Sequence, residues 1–385
     1  MLTRTPDRVT DYLRAIERIS PLIAHERANF DQARRLPDAV FDALADAGLF
    51  RLWLPEALGG PELSPIEFMT IVEAASALDG SVGWLVGNGG GMSRIGGYLP
   101  EATTRSWFSD PRAFVVSATG AVGTAQKVPG GYQLSGRWPF GSGAHHATHF
   151  MGLASVKDTD GRDGPPFCCY AARRDVTIHD TWKVSGLRAT GSCDFEMQDV
   201  FVPEQNTHVF IGSTPTQAGA VYRLPALSAF AWTVSVVPLG IARGAIDAFI
   251  ELAHRKSRLG TSALLCDRET VQSTIGRIEA LHQAARAFLI QAMNELTTAM
   301  EEDGPRLVHA RAMFRAACAH AGESAARIVD KLAMETGAAS IFEASPLERA
   351  VRDVHAAAKH IAMSPNNYGV VGRMAMGLDP GAARF

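Results

Sequence analysis

Apolar residues near the start of the chain recur at helical spacing. Val40, Phe41 and Leu44 follow Pro37 at intervals of three to four residues, and the apolar run stops at Gly48. Proline is favoured in the first turn of a helix and glycine just past its last turn, so this pattern predicts a short amphipathic helix.

A second helix start follows soon afterwards. Ser64 and Glu67 have the spacing of a capping box, and Pro65 occupies the first helical position. Together with the helical pattern around them, these signals predict at least three helices and an N-terminal helical domain over residues 1–111.

The spacing of apolar residues shortens between about Ala113 and Pro203. Runs such as "GYQLSGRW" and "CDFEMQDVFV" are rich in strand formers and are separated by Gly, Pro and Asp. Pro129, Gly130 and Gly131 predict a hairpin turn. We therefore expect an antiparallel β domain over residues 112–215.

Helical periodicity returns after Leu224 and extends to the end of the chain. The long patterns cover Glu269 to Met300, Leu307 to Glu335 and Leu347 to Ala362. Helices of this length can pack side by side, so residues 216–385 are predicted to form a C-terminal bundle.

The most apolar segment, Leu227 to Ala242, is shorter than the roughly 18 to 20 residues that span a bilayer, and it contains Pro238. It predicts a buried helix and no membrane association. The N-terminus lacks the apolar core of a signal peptide, so a cytoplasmic location is expected.

Composition narrows the function classes. The 385 residues include 46% hydrophobic and 20% charged residues, and the net charge is −3 without a long basic run, so nucleic acid is not expected as a partner. Five cysteines lack paired spacing, and no His-Glu-x-x-His pattern occurs. Neither a disulfide framework nor a metal site is predicted.

The segment "GRWPFGSGAHH" contains several candidate ligand contacts. Trp138 and Phe140 have strand spacing and serve either packing or binding. Ser142 lies between two glycines, which lets its backbone approach a ligand, and its hydroxyl group can donate or accept. His145 and His146 should point to opposite sides, so at most one would face a pocket.

The glycine-rich segment "GNGGGMSRIGG", Gly87 to Gly97, superficially resembles a phosphate loop. A dinucleotide fingerprint needs a preceding strand, whereas this segment follows a helical pattern. We expect instead a ligand-facing break in a helix.

A second group of candidates lies near the C-terminus. Arg349, Asp353, Ala356 and His360 share one helical stripe at steps of four, three and four residues. His355 lies about 140° around the helix from His360, so only one of the two can face a shared site. The small neighbours of His360 favour that residue.

Four ordered motifs now carry a resemblance over essentially the whole chain. They are "GSVGWLVG", "GGYQLSGRWPFGSGAHHA", "DTWKVSGLRATGSCDFEMQDVFVP" and "SPLERAVRDVHAAAKH". The chain resembles the acyl-CoA dehydrogenase superfamily, and within it the group D oxygenase components of two-component flavin-dependent monooxygenases. The resemblance implies a mainly α chain with a middle antiparallel β domain, a C-terminal four-helix bundle and a homotetramer.

The catalytic base separates the two activities found in this superfamily. In most of the dehydrogenases a Glu removes the α-proton of an acyl thioester, and its place here falls at Ile361. A subset keeps its Glu ahead of a motif that is here Pro238 to Gly240, but residues 229–237 contain no acid. His360 lies beside the vacant place, as in the monooxygenases.

The resemblance also implies the reaction partners. Reduced flavin, FMNH2 or FADH2, would arrive as a diffusible cosubstrate from a separate NAD(P)H-dependent flavin reductase and react with O2 to a C4a-hydroperoxide. Ser142 would accept a hydrogen bond from flavin N5–H. His360 would act as the base for an aromatic substrate, and Asp353 would orient the helix or the imidazole.

Further contacts follow from the same resemblance. The cofactor-binding set comprises Trp138, Phe140, Ser142, Thr190, Ser192, Arg258 and Gly337. The substrate-binding set comprises Trp84, Asn88 and His360.

The substrate is left open by the sequence. Some relatives that act on phenols have a second substrate-binding His where this chain has Asn88 and three glycines, so an indole, another heteroaromatic ring, a polycycle or an N-hydroxylated amine all remain candidates. Two rival functions are an acyl-CoA dehydrogenase-like oxidoreductase with an unrecognised base and a catalytically inactive flavin-binding scaffold.

Overall fold

The computed structural model describes residues 7–157, 162–257, 262–301 and 304–381. Its first part is helical, as the apolar spacing predicts. The helices that precede the sheet are α1 (Asp7–Ala33), α2 (Asp38–Asp46), α3 (Pro65–Leu78), α4 (Gly80–Met92) and α5 (Glu101–Trp107).

Both predicted helix starts are confirmed. Helix α2 begins directly after Pro37, and Gly48 beyond its end has a φ of 73°. At the start of α3, the Glu67 N–H donates to Ser64 Oγ at 3.3 Å and the Ser64 N–H donates to Glu67 Oε2 at 2.8 Å. This reciprocal pairing satisfies two backbone donors that a helix N-terminus leaves free.

The middle of the chain forms a seven-stranded sheet in the order β5-β6-β2-β1-β3-β4-β7. Its strands are β1 (Val115–Val128), β2 (Gly131–Gly141), β3 (His149–Ser155), β4 (Phe167–Ala172), β5 (Thr177–His179), β6 (Cys193–Pro203) and β7 (Thr207–Val209). The predicted hairpin joins β1 to β2, with Val128 opposite Gly131 and Gly130 at a φ of 81°.

One pairing differs from the expected antiparallel sheet. Strand β3 pairs with β1 in parallel, with Val115 opposite His149. After the hairpin, β2 ends beside the start of β1, and residues 142–148 cross that end of β1 to its free edge. A strand that starts there runs in the direction of β1, so the sheet is mixed and the antiparallel expectation is wrong for this pair.

The remainder of the chain is helical. Its helices are α6 (Ala220–Arg223), α7 (Ala226–Ser235), α8 (Val237–Ala253), α9 (Glu269–Ala299), α10 (Pro305–Thr336), α11 (Pro346–Ala358) and α12 (Asn367–Ala375). The first two long patterns are confirmed within a few residues. The third predicted helix is too long, because α11 ends at Ala358 rather than at Ala362.

The apolar segment extends further than the sequence analysis predicts. Helices α7 and α8 follow each other with only Val236 between them, and Pro238 lies in the first turn of α8. Together Ala226–Ala253 have the length and hydropathy to cross a membrane, but 72% of an 18-residue apolar stretch within them is buried. That burial is typical of a core helix, in agreement with the predicted buried helix.

The described residues divide into two compact units. The first unit contains the chain up to Phe68, Leu85–Val184 and Arg188–Ala229, and the second contains Met69–Trp84, Ser185–Leu187 and the chain from Phe230 onwards. The three-domain boundaries at residues 111 and 215 stay a prediction.

The α-helix ends inside the glycine-rich segment, but after its first glycines. Gly87, Gly89 and Gly90 lie inside α4, which ends at Met92 and is followed by a 3-10 helix over Ser93–Gly97. Whether this break faces a ligand stays a prediction. A Cβ at Gly89 would overlap the ring of Phe114, and one at Gly90 would lie 3.0 Å from the Leu49 carbonyl oxygen. Close packing around the helix therefore outweighs the low helix propensity of glycine.

Gly89→Ala should destabilise the protein by about 1–3 kcal/mol, because the added methyl group overpacks a filled core. Gly276→Ala is the matched control. Gly276 lies in α9, and nothing lies within 4 Å of an added Cβ. We expect the control to stabilise the protein by about 0.5–1 kcal/mol. Thermal unfolding of both variants tests this, and equal melting temperatures would contradict the packing argument.

Candidate functional site

Three of the predicted cofactor-binding residues form a cluster of buried hydroxyl groups in the first unit. Ser142 Oγ lies 2.8 Å from Ser192 Oγ, which lies 2.7 Å from Thr190 Oγ1. All three residues are buried. We call Ser142, Thr190 and Ser192 the hydroxyl cluster. It joins the end of β2 to the segment before β6.

The backbone around the hydroxyl cluster is fixed at several points. The Gly143 N–H donates to the Thr190 carbonyl oxygen at 2.7 Å, and Gly141 is opposite Cys193 in the sheet. Gly143 has a φ of 81°, and a Cβ there would lie 2.5 Å from the Phe114 ring. Only glycine combines this backbone conformation with this close approach.

The two aromatic residues of the same strand face different surroundings. Trp138 has no exposed surface, and its indole N–H donates to the Leu153 carbonyl oxygen at 2.9 Å. The structure therefore places Trp138 in the core, and its contact with a cofactor stays a prediction. Phe140 is 66% exposed and has a φ of 65°, a conformation that costs energy for a bulky residue.

The neighbouring histidines have structural surroundings. His146 Nε2 lies 2.9 Å from the Leu36 carbonyl oxygen, and its ring stacks on Phe41 with centroids 4.2 Å apart. Burial lowers the pKa of His146 to about 4, so the ring is neutral. His145 Nε2 lies 3.6 Å from Cys193 Sγ. These contacts agree with the preference for His360.

In the second unit, α11 holds the segment 185–187. The Leu187 N–H donates to Asp353 Oδ1 at 2.7 Å, and the Arg352 guanidinium donates to the Ser185 carbonyl oxygen at 3.0 Å. A Cβ at Gly186 would overlap the Arg352 carbonyl. Among the described residues, no hydrogen bond joins Asp353 to His360, so its expected role of orienting the imidazole is replaced by positioning this segment.

The Asp353 carboxyl group lies in a charged environment. Burial and the nearby Asp79 carboxylate raise its pKa. Asp79 Oδ1 accepts hydrogen bonds from the backbone at the start of α4, at 2.9 Å from Ser81 N, and Arg349 lies 3.7 Å from its other oxygen. Two buried carboxyl groups and one guanidinium thus share a small volume, which favours keeping one proton between the carboxyl groups.

His360 lies beyond the end of α11, which corrects the predicted helical stripe. Its backbone is extended, with φ −62° and ψ 140°, and its Nδ1 accepts a hydrogen bond from the Ala362 N–H at 3.2 Å. Its ring meets the Trp84 ring edge-on, with centroids 5.7 Å apart. His360 and Trp84, two of the predicted substrate contacts, are therefore neighbours in the second unit.

The protonation state of His360 follows from these contacts. Burial and the nearby Arg315 charge lower its pKa to about 4, so the imidazole is neutral at pH 7. Because Nδ1 accepts from a backbone N–H, the single ring proton lies on Nε2. The Nε2 end of the ring is therefore a hydrogen-bond donor.

The remaining predicted residues are more scattered. Asn88 lies half-buried in α4, in the first unit. Gly337 follows α10 with a φ of 68°. Arg258 lies outside the described residues. Lys256, two positions earlier and missed by the sequence analysis, donates to the Thr336 carbonyl oxygen at 2.8 Å and caps the end of α10.

Comparison with known proteins identifies the family. Residues 15–109 match the acyl-CoA dehydrogenase N-terminal domain, and residues 232–365 match its C-terminal domain. The chain is 30% identical to an indole-3-acetate monooxygenase of Pseudomonas putida, covering 91% of this chain and 90% of that protein. It is also 30% identical to HsaA of Mycobacterium tuberculosis, the oxygenase subunit of a flavin-dependent monooxygenase, over 96% of each chain.

A solved structure agrees with these relatives. XiaF from Streptomyces sp., in complex with FADH2 and glycerol, superimposes with a TM-score of 0.88 at 27% identity, covering 98% of both chains. The chain belongs to the flavin-dependent monooxygenases of the acyl-CoA dehydrogenase superfamily. This monooxygenase therefore uses reduced flavin and O2, and its two-component relatives imply a separate flavin reductase.

Nuclear magnetic resonance of labelled histidine should find the His360 ring of this monooxygenase neutral, with its proton on Nε2, from about pH 5.5 to pH 8. The reason is its pKa of about 4 and the acceptor role of Nδ1. His360→Asn assigns the signal by its loss. A titration midpoint near the ordinary histidine value of about 6.5 would contradict this state.

Proposed function

We propose that this monooxygenase hydroxylates an aromatic or heteroaromatic small molecule, with reduced flavin delivered by a separate NAD(P)H-dependent reductase. The proposal rests mainly on the hydroxyl cluster, in which Ser142 is linked through Ser192 to Thr190. Relatives named for indole-3-acetate, resorcinol and p-hydroxyphenylacetate support an aromatic substrate. The dehydrogenase alternative has no support from Ile361, an apolar side chain that is 67% exposed where a catalytic Glu would stand.

The residues of the hydroxyl cluster fit a reduced flavin. A hydroxyl group has one proton and two lone pairs, so Ser142 can donate to Ser192 and still accept from the N5–H group of the cofactor. Ser192, Thr190 and the exposed ring of Phe140 would complete this contact surface. When bound, FMNH2 or FADH2 would supply the two electrons that activate O2, of which one oxygen atom enters the product and the other leaves as water.

The proposed role of His360 differs from that of the expected catalytic base. At a pKa of about 4 a neutral imidazole accepts protons poorly at pH 7, whereas its Nε2–H can donate. We assign it to binding an oxygen or nitrogen atom of the substrate, which stabilises negative charge that develops there. The Trp84 ring would contact the aromatic part of the substrate, and Asn88 stays a proposed substrate contact.

We further propose a cytoplasmic homotetramer, in which Arg258 and Gly337 contact the flavin. Support comes from large apolar side chains that are exposed in the second unit: Met334, Ile341, Phe342, Ile361, Met376 and Leu378. Light scattering should give four times the chain mass of 41.2 kDa. A monomer would contradict the assembly but not the reaction.

The reaction itself is tested with purified enzyme, a flavin reductase, NADH, flavin and a panel of aromatic compounds under ¹⁸O2. We expect a product that carries one labelled oxygen atom. The dehydrogenase alternative predicts instead that acyl-CoA thioesters bleach enzyme-bound oxidised flavin without O2. Bleaching without labelled product would overturn the proposal, and so would an enzyme inactive in both assays, as the scaffold alternative predicts.

Ser142→Ala should raise the ratio of hydrogen peroxide to product roughly fivefold, the factor that corresponds to losing a hydrogen bond of about 1 kcal/mol. The control is Ser135→Ala on the same strand, whose hydroxyl group pairs with Asp199. We expect wild-type coupling from the control. Wild-type coupling in Ser142→Ala as well would remove Ser142 from the proposed flavin contact.

A further inference from the structure

Arg315 is a buried cation in the second unit. It lies in α10 and is only 7% exposed. Its Nε has no hydrogen-bond partner, and no ion pair or hydrogen bond of its side chain occurs within residues 7–157, 162–257, 262–301 and 304–381. Burying a charge without a partner is costly, so an arginine in this state needs a compensating anion.

The face of α10 that carries Arg315 lies against the segment of His360. Gly322, two helical turns further along α10, is so close to this segment that a Cβ there would lie 3.2 Å from the Met363 side chain. Burial lowers the pKa of Arg315, and its positive charge in turn lowers the pKa of His360. The guanidinium and the imidazole therefore share one region of the second unit.

Within the part of the chain that the structure describes, no carboxylate opposes the effect of burial on the pKa of Arg315. The group that opposes the effect of burial on its pKa is the thiol of Cys318, which is itself buried and protonated because burial raises its own pKa to about 11. Its neighbour one turn earlier, Arg311, adds further positive charge. Every charged group named here is positive, so the region favours an anion from outside.

We propose that Arg315 binds the carboxylate group of the substrate, and that the enzyme is selective for aromatic carboxylic acids. The proposal rests on the function proposed above. A guanidinium group matches a carboxylate with two parallel hydrogen bonds. The rings of His360 and Trp84 are in edge-on contact with each other and would receive the ring of the substrate.

A carboxylate group has one negative charge at pH 7, which balances the one positive charge of Arg315. The aromatic acid is therefore the substrate class that fits both Arg315 and the rings beside it.

The experiment measures binding without turnover. Dissociation constants of indole-3-acetate and 4-hydroxyphenylacetate are compared with those of their neutral amides by calorimetry, using the full-length enzyme. Wild type should bind at least one acid about tenfold or more tightly than its amide, as a charge-assisted hydrogen bond predicts. Arg315→Gln should lose this preference, and Arg315→Lys should keep part of it.

The matched control is Arg327→Gln, which removes an exposed positive charge from the same helix. It should keep the wild-type preference. The melting temperature of Arg315→Met supplies an independent readout, because removing an unpaired buried charge should raise it. A lower melting temperature would indicate that Arg315 has a structural partner and would overturn the proposal.

Equal binding of acid and amide by wild type, binding of neither acid, or an unchanged preference in Arg315→Gln would also overturn it. The experiments distinguish failure of the anion site at Arg315 from failure of the proposed function. An enzyme that prefers acids but forms no labelled product retains the anion site and loses the hydroxylase assignment, whereas labelled product without acid preference removes only the role of Arg315.

Discussion

The hydrogen bond from the Leu187 N–H to the buried Asp353 carboxyl group holds residues 185–187 against helix α11 in the second unit. Leu187 has a φ of 52°, a left-handed backbone conformation that residues other than glycine rarely adopt. The residues that follow along the chain form the turn with Thr190 and lead to Ser192. Gly186 permits the close contact of this segment with α11, because a Cβ there would overlap the Arg352 carbonyl group.

The second constraint is that several ionisable side chains are buried, where an unpaired charge is costly. His360 is held neutral, and Asp353 has a raised pKa beside Asp79. Arg315 cannot neutralise in the same way, because an arginine remains charged even when burial lowers its pKa. This difference underlies the two proposed roles, a neutral histidine that donates a hydrogen bond and an arginine that binds an anion. Both roles fit the proposed substrate, which has an aromatic ring and an acidic group.

Local signals in the sequence predicted much of the fold. The capping box at Ser64 and the hairpin at Gly130 involve residues close in sequence, and both occur as expected. The parallel pairing of β1 and β3 depends on a crossover that no local pattern specifies. Gly89 lies in a helix because of packing against Phe114, which is distant in sequence.

Some features of the candidate site could also be predicted from the sequence, and others could not. The glycines around Ser142 and the hydroxyl groups of "ATGS" were visible as motifs, and the structure brings them together. The end of α11 was misplaced because the alanines before His360 favour helix whatever follows. That Arg315 has no hydrogen-bond partner among the described residues could not be read from the sequence, since it depends on which acids are nearby in space.

Rapid mixing of the anaerobic reduced-flavin enzyme with O2 tests most directly whether this chain activates O2 on a reduced flavin rather than oxidising a thioester. We predict a transient oxygenated-flavin absorbance before oxidised flavin appears. Direct oxidation without this transient would show that the enzyme is not a monooxygenase.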